Sequence, residues 1–372
     1  MQRIKATGPL TIAQFMKEVL IHPAFGYYTT RDMFGKSGDF ITSPEISQMF
    51  GEMIAVWFTN EWYKIGSPKP LNLIELGPGR GSMMSDILRT FNKFNIHNYL
   101  TVHMVEVSEI LSKIQSEKLC TSVENYNTDS YFYKSGKTKI GVNIYWYKSI
   151  QDIKMEQFSF VIAHEFFDAL PIHKFQKTKL GWNEVLIDID SEDKLKYVLS
   201  PGPTAMSKIL VDDSETREHI EVSPESIIIM EYLANYLEQF GGIALIVDYG
   251  HNGNKTDTFR AYKNHQQCDP LTEIGTTDLT ADVDFSALRK AASDKLISFG
   301  PVTQKKFLEQ MHLEVRLEVL LKNCTDDYQR KLLQSSCRTL LDENKMGSAF
   351  HFMSFFPTVL KEFLKHYPPV GF

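Results

Sequence analysis

Apolar positions along the chain follow two rhythms. Near the start they recur at helical spacing, in TIAQFMKEVL (residues 11–20) and in PEISQMFGEMIAVWFTNEWYKIG (44–66), where Gly66 marks the end and Pro68 and Pro70 lie beyond it. From residue 71 the rhythm changes. Short, nearly continuous apolar runs, LNLIEL (71–76), TVHMVEV (101–107), IYWY (144–147) and FSFVIA (158–163), alternate with the helical stretches SMMSDILRTFNKF (82–94) and SEILSKIQSEKL (108–119). Such runs suit strands buried on both faces, and their alternation with helices predicts an α/β fold with a covered parallel sheet. Residues 172–222 interrupt this: KFQKTKLGWNEVLIDID reads as a β-hairpin turning at Leu180-Gly181, followed by a polar stretch. The alternation resumes with a helix in SIIIMEYLANYLEQF and a buried strand in IALIVDYG (243–250). Residues 251–285 read as a long polar loop, and helices and a last strand, SAFHFMSFF, follow. The expected organisation is an N-terminal helical extension over 1–70 and an α/β domain over 71–372, with an insertion at about 172–222.

Composition narrows the function. The 372 residues are 43% hydrophobic, ample for a large core. A net charge of −6 weighs against a nucleic-acid partner, and no apolar run approaches a membrane span. The four cysteines are far apart and lack metal-ligand spacing, so free thiols and no catalytic metal are expected. The N-terminus lacks the apolar core of a secretory signal and makes a poor transit peptide.

The chemistry begins at ELGPGRG, residues 75–81, directly after a predicted strand and before a predicted helix. Glycines at 77, 79 and 81 permit a sharp turn and close approach of a ligand to the backbone. The G-x-G-x-G spacing differs from the G-x-G-x-x-G of dinucleotide folds. Glu75 in front of it would repel a pyrophosphate and attract an ammonium group, such as that of the methionyl part of S-adenosylmethionine. A plain tight turn is the competing reading. Glu106 ends the second strand 25 residues after Gly81, where a nucleotide fold places its ribose-binding acid; the alternative is a solvated acid.

HEFFDALPIHKF (164–175) follows the carboxyl end of the fourth strand. Its His164, Glu165 and Asp168 could converge on one point, or the two acids could merely complement a helix dipole. In GDFITSPEIS (38–47), Thr42 and Ser43 begin a helix with Pro44 in the first turn and Glu45 at capping-box distance from Thr42. A helix start also attracts carboxylates, which makes both residues candidates for the methionyl end of the cofactor. Tyr28 and Asp39 share that loop region and, with His164, are candidates for the substrate side. Trp146 would stack on adenine or sit in the core.

Taken together, GYYT, GDFITSPEISQMFGE, ELGPGRGS, VEVS, HEFFDALPIHKFQ, GGIALIVDYG, DTFRAYKNHQ, DLTADVDF and TQKKFL, in that order from residue 26 to about 310, resemble the MidA family of mitochondrial complex I assembly methyltransferases and their bacterial relatives. Ser82 and His164 depart from it, where threonine and asparagine are common. The resemblance implies a class I methyltransferase fold, a Rossmann-like seven-stranded sheet with N-terminal helices and an inserted substrate-side region. It also implies S-adenosylmethionine as cofactor, with S-adenosylhomocysteine as product. The implied reaction is symmetric dimethylation of arginine on the quinone-site core subunit of respiratory complex I, in the mitochondrial matrix. Glu165 and Asp168 would then grip the arginine. A cofactor-binding assembly factor without turnover, or a methyltransferase for a small molecule, are the alternatives.

Overall fold

The computed structural model describes residues 1–372 other than 31, 34–41, 127–129, 155 and 265. Its centre is a twisted sheet built from β1 (Leu71–Leu76), β2 (Leu100–Val105), β3 (Asn143–Tyr147), β4 (Phe158–His164), β5 (Gly242–His251), β6 (Leu296–Thr303) and β7 (Phe350–Pro357). In space they run β3-β2-β1-β4-β5-β7-β6. The first five pair in parallel. Strand β7 lies antiparallel between β5 and β6, which returns β6 to the common direction. Every residue of β1 is buried, as a central parallel strand requires.

Helices cover both faces. On one side, α2 (Gln48–Lys64) and α3 (Ser82–Lys93) pack Trp57, Phe58 and Phe91 against the sheet. On the other, α5 (Pro224–Phe240) and α6 (Phe285–Ala292) contribute Met230, Leu233, Leu237 and Leu288. The parallel connections leave a crevice where β1 and β4 diverge in chain order, the place at which open α/β sheets bind ligands.

The inserted hairpin forms as expected, with Phe175–Thr178 paired to Gly181–Glu184. It belongs to a second sheet made of residues 10–11, 173–178, 181–189, 195–203 and 219–222. Packing therefore does not divide at residue 70. Leu10 and Thr11 pair with Ile187 and Leu186 of the insertion, and α1 (Ile12–Ile21), started by a capping box from Thr11 to Gln14, lays Phe15, Met16 and Val19 on the same layer. Residues 46–64, by contrast, pack with α3 on one face of the main sheet. The N-terminus and the insertion make one cap, while α2 is part of the central domain.

Three further expectations are corrected. The helix expected through 44–66 is broken at Ser47, whose hydroxyl accepts from Met49 N–H and starts α2 afresh; Thr42 makes no side-chain cap. The stretch 251–285 is not a plain loop: it carries strands Arg260–Lys263, Gln266–Cys268 and Asp278–Thr280, and Val283–Asp284 adds to β5. Strand β6 and the hairpin Cys120–Asn125/Lys134–Thr138 beyond β3 were not anticipated. Among the described residues no helix is long and apolar enough to cross a membrane.

Helices α2 and α3 approach closely at Gly51, where a Cβ would stand 2.7 Å from Asp86 Cβ and 3.2 Å from the Met83 carbonyl oxygen. Gly51→Val is expected to cost about 1–3 kcal/mol through overpacking, read as a lower thermal midpoint. Gly202→Ala, where nothing lies within 4 Å, should leave the midpoint in place.

Candidate active site

The turn after β1 takes left-handed backbone at all three alternate glycines, with φ of +62° at Gly77, +53° at Gly79 and +72° at Gly81. Only glycine adopts this repeatedly without strain. The turn is fastened at both ends. Gly77 N–H donates to the Val105 carbonyl at 3.1 Å, and Gly81 N–H to the Pro78 carbonyl at 2.8 Å. A Cβ on Gly77 would sit 3.0 Å from the Phe166 ring, so the turn also packs tightly against the segment after β4. The amino end of α3 begins at Gly81 with no side-chain cap.

Glu106 stands one residue past β2. Its Oε1 accepts from Ser108 N–H at 2.7 Å and its Oε2 from Gln115 Nε2 at 3.0 Å. Gln115, fully buried on α4 (Glu109–Leu119), also donates to the Gly79 carbonyl at 2.7 Å. Its Oε1 accepts from the indole N–H of Trp146 at 2.8 Å. Trp146 is thus fully buried in the core and lines neither cavity, so it does not offer a stacking face to a ligand. It orients Gln115, which in turn fixes both the acid and the glycine turn. Sequence reasoning missed Gln115, because a lone glutamine on a helix carries no pattern.

Two adjoining cavities open at the carboxyl ends of β1, β2 and β4. The larger, about 630 Å³, is lined by Gly77, Gly79 and Glu106, by Ser149, Ile150 and Gln151 after β3, and by Glu165, Phe166 and Asp168 after β4. The cap closes it with Met16, Leu20 and Tyr28. Its size is that of a small-molecule site. The smaller, about 40 Å³, lies between Glu75, the glycine turn, Arg80, Ser82, Thr42, Pro44 and His164. The two share Gly77, Gly79 and Glu165.

The smaller cavity holds opposite charges. Glu75 Oε2 is buried without a hydrogen-bond partner among the described residues, while the Arg80 guanidinium pairs through Nε with Asp32 at 3.3 Å and lies 4.0 Å from Glu45. Burial, with Glu106 nearby, pushes the Glu75 carboxyl up to about 8, and burial pushes Glu106 to about 7. A buried acid with an unused oxygen suits the ammonium of a zwitterionic amino-acid end, and Arg80, although already paired with Asp32, lines the same cavity as a cation for its carboxylate. A methionyl group attached to a ribose within reach of Glu106 fits this donor set. Arg80 was not anticipated from the sequence. Thr42 lies in the wall of this cavity, whereas Ser43 does not: it is fully buried and its hydroxyl donates to Gln304 Oε1 at 3.3 Å.

The predicted acids after β4 do come together. Asp168 Oδ2 accepts from the Thr280 hydroxyl at 2.8 Å, while Asp168 Oδ1 and Glu165 Oε1 are buried without hydrogen bonds among the described residues, Glu165 Oε1 standing 3.6 Å from the neutral His164 Nε2. Burial and the charges of Asp168 and Asp278 hold Glu165 well above the usual carboxylate range. Asp168 is pushed up to about 6 by burial, partly offset by Thr280 and Arg260. Asp278, inside the stretch read as loop, accepts from the Tyr28 hydroxyl at 2.8 Å, and both line the larger cavity. His164 turns away from that cavity. It stacks on Phe350, its rings' centroids 5.7 Å apart, borders only the smaller one, and is pushed down to about 3 by burial, hence neutral. Asp39 lies outside the described residues.

A sheet in the order β3-β2-β1-β4-β5-β7-β6 with β7 reversed, a glycine turn after β1 and an acid after β2 define a class I methyltransferase fold. A family model described as "Putative S-adenosyl-L-methionine-dependent methyltransferase" matches residues 53–302. The chain is 50% identical over 358 residues to protein arginine methyltransferase NDUFAF7, mitochondrial, of Danio rerio, covering 95% of this chain and 84% of that protein. The human protein of the same name is 48% identical over 364 residues, covering 96% and 82%. A solved structure from Burkholderia thailandensis, a methyl transferase candidate bound to S-adenosyl-homocysteine, superposes with a TM-score of 0.78 at 21% identity over 95% of this chain and 89% of that one. The chain belongs to the S-adenosylmethionine-dependent methyltransferase family that includes these mitochondrial arginine methyltransferases.

Two outcomes test the cofactor side. An ammonium ligand prefers ionised Glu75, so affinity for S-adenosylhomocysteine, measured by titration calorimetry, should rise from pH 6 to about 8 as this carboxyl loses its proton. Glu75→Gln should weaken binding and flatten that rise. Glu106→Ala should cost about 1.5–3 kcal/mol of cofactor affinity, the range for hydrogen bonds to a charged group; an unchanged dissociation constant would remove Glu106 from the ribose site.

Proposed function

We propose that this chain is a protein arginine N-methyltransferase that uses S-adenosylmethionine and acts in the mitochondrion. The observation that carries the arginine reading is the pair of carboxylate oxygens without hydrogen bonds, Glu165 Oε1 and Asp168 Oδ1, on two acids that line the larger cavity, with the nearby Arg260 already paired with Asp282 and only the neutral His164 close to Glu165. Buried acids with unused acceptor capacity demand a cation that brings its own N–H donors. A guanidinium does so, and relatives 46–50% identical over nearly the whole chain are named protein arginine methyltransferases.

The finer assignment extends this reading: symmetric dimethylarginine on the quinone-site core subunit of respiratory complex I, made in the matrix during assembly. It rests on the motif resemblance set out above. The mitochondrial names of the relatives agree with it.

When bound, S-adenosylmethionine supplies an electrophilic methyl group on a sulfonium. Glu75, Arg80 and Thr42 would hold its methionyl end, and Glu106 its ribose, so that the glycine turn and Phe166 enclose the region between. Arginine is a poor nucleophile because its charge is spread over three nitrogens. Glu165 and Asp168 would each take N–H groups of the guanidinium. This concentrates positive charge on the gripped nitrogens and leaves electron density on the third. As that nitrogen forms its bond to carbon and the sulfur–carbon bond breaks, one guanidinium proton must leave. Glu165, whose burial favours the protonated state, would receive it and pass it to solvent. Tyr28 and Asp278 border the same space and would flank the incoming side chain.

Glu165→Gln keeps shape while removing charge and acceptor capacity. Methylation of the recombinant core subunit, followed by mass spectrometry, should fall about 100-fold, nearly 3 kcal/mol of transition-state stabilisation. S-adenosylhomocysteine affinity should barely move. Asp168→Asn should behave alike, and the double variant should be little worse than either single one if the acids act as a unit. Normal rates in both single variants would reduce the segment to a structural turn.

A further inference from the structure

The turn that presents Glu165 and Asp168 contains no glycine, yet Glu165 has φ +51°, a conformation disfavoured for a residue with a side chain. Something outside the turn must hold it. Four successive amides, 165 to 168, are tied to two consecutive residues of neighbouring β5. Glu165 N–H donates to the Val247 carbonyl at 3.0 Å. The N–H groups of Phe166, Phe167 and Asp168 converge on one oxygen of Asp248, at 3.1, 3.0 and 3.4 Å. The other oxygen of Asp248 accepts from Tyr249 N–H at 2.9 Å.

Asp248 is fully buried and lines neither cavity, so its carboxylate has no route to a ligand. Its hydrogen bonds all come from backbone amides. Three N–H dipoles aimed at one oxygen form a concave anion seat, here occupied by a side chain of the same chain. We propose that Asp248 is the positioning residue of the acid pair: its carboxylate fixes the left-handed turn at Glu165, and so aims the free oxygens of Glu165 and Asp168 at the substrate nitrogen. This rests on the reading of those two acids as the arginine grip.

The backbone amides alone do not secure the turn. If Asp248 becomes Asn, a single carbonyl oxygen can still face the three amides, but its NH2 then meets the Tyr249 N–H, donor against donor. If the amide flips to satisfy Tyr249, the NH2 faces three donors instead. Either way the seat loses one acceptor and gains a misplaced donor.

The test sets D248N beside E165Q in the full chain. Turnover on the recombinant core subunit should fall at least 10-fold in D248N, with KM for that subunit and the dissociation constant of S-adenosylhomocysteine within about threefold of wild type. Hydrogen exchange at amides 166–168 should speed up at least 10-fold, while β1 and α3 stay as slow as before. Wild-type turnover in D248N, or unchanged exchange at 166–168, overturns the proposal while leaving the grip intact, provided E165Q is impaired. Full turnover in E165Q instead overturns the grip itself, and the positioning role falls with it. Should D248N not fold, exchange in the wild-type chain decides: amides 166–168 as slow as those of β4 support the seat, and fast exchange there refutes it.

Discussion

Buried carboxyl groups are the constraint around which this molecule is arranged. Glu75, Glu106, Glu165, Asp168, Asp248 and Asp278 gather at the carboxyl ends of the central strands and on the small sheet facing them, each largely withdrawn from water. Some are stabilised by backbone or side-chain donors, as at Asp248 and Glu106. Others, Glu75, Glu165 and Asp168, keep an oxygen unsatisfied. A carboxyl whose pKa rises on folding adds stability below its unfolded value, and that contribution is lost as pH increases through the folded one. For Asp168, Glu106 and Glu75, whose raised values are about 6, 7 and 8, the loss runs from about pH 4 up to those values. Ionising these acids therefore costs stability that a bound cation would offset.

The parts of this arrangement carried by periodic segments were legible in the sequence. The strand–turn–helix at 71–94, Glu106 at the end of β2 and the acids after β4 follow from alternation and offset alone, because a parallel sheet places successive strand ends on one edge. What escaped reading was held by long-range contact. Leu10 and Thr11 are too few to show a strand period, and their pairing partner lies about 175 residues away. Strands of three or four residues between 260 and 280 are polar in sequence and exist because they pair with each other. In β6, Gly300 and Pro301 sit at a break in register that hides the alternation. Thr42 shows the limit of local rules: its hydroxyl is in capping position, yet the turn it begins lasts only four residues before Ser47 starts α2.

The site likewise divides by reach. Arg80 sits inside the glycine motif, but only the folded turn brings it to Asp32 and into the wall of the cavity it shares with Glu75. Asp248 and Gln115 act from neighbouring elements and touch no ligand space, so no spacing points to them. Trp146 illustrates the opposite error. An aromatic near a nucleotide site invites a stacking role, but the sheet register turns this one inward, where its polar edge rather than its face does the bonding.

That inward turn makes three side chains interdependent. Trp146, Gln115 and Glu106 form a chain in which one amide uses both ends, its NH2 donating hydrogen bonds to an acid and to the Gly79 carbonyl while its oxygen accepts one from an indole. Exchange of any one member strands the others: without the glutamine a buried indole N–H and a buried carboxylate lose their partner together, and a glutamate there would meet Glu106 as a like charge. The three side chains therefore act as one unit, and a single substitution among them costs more than one on the exposed face of α4.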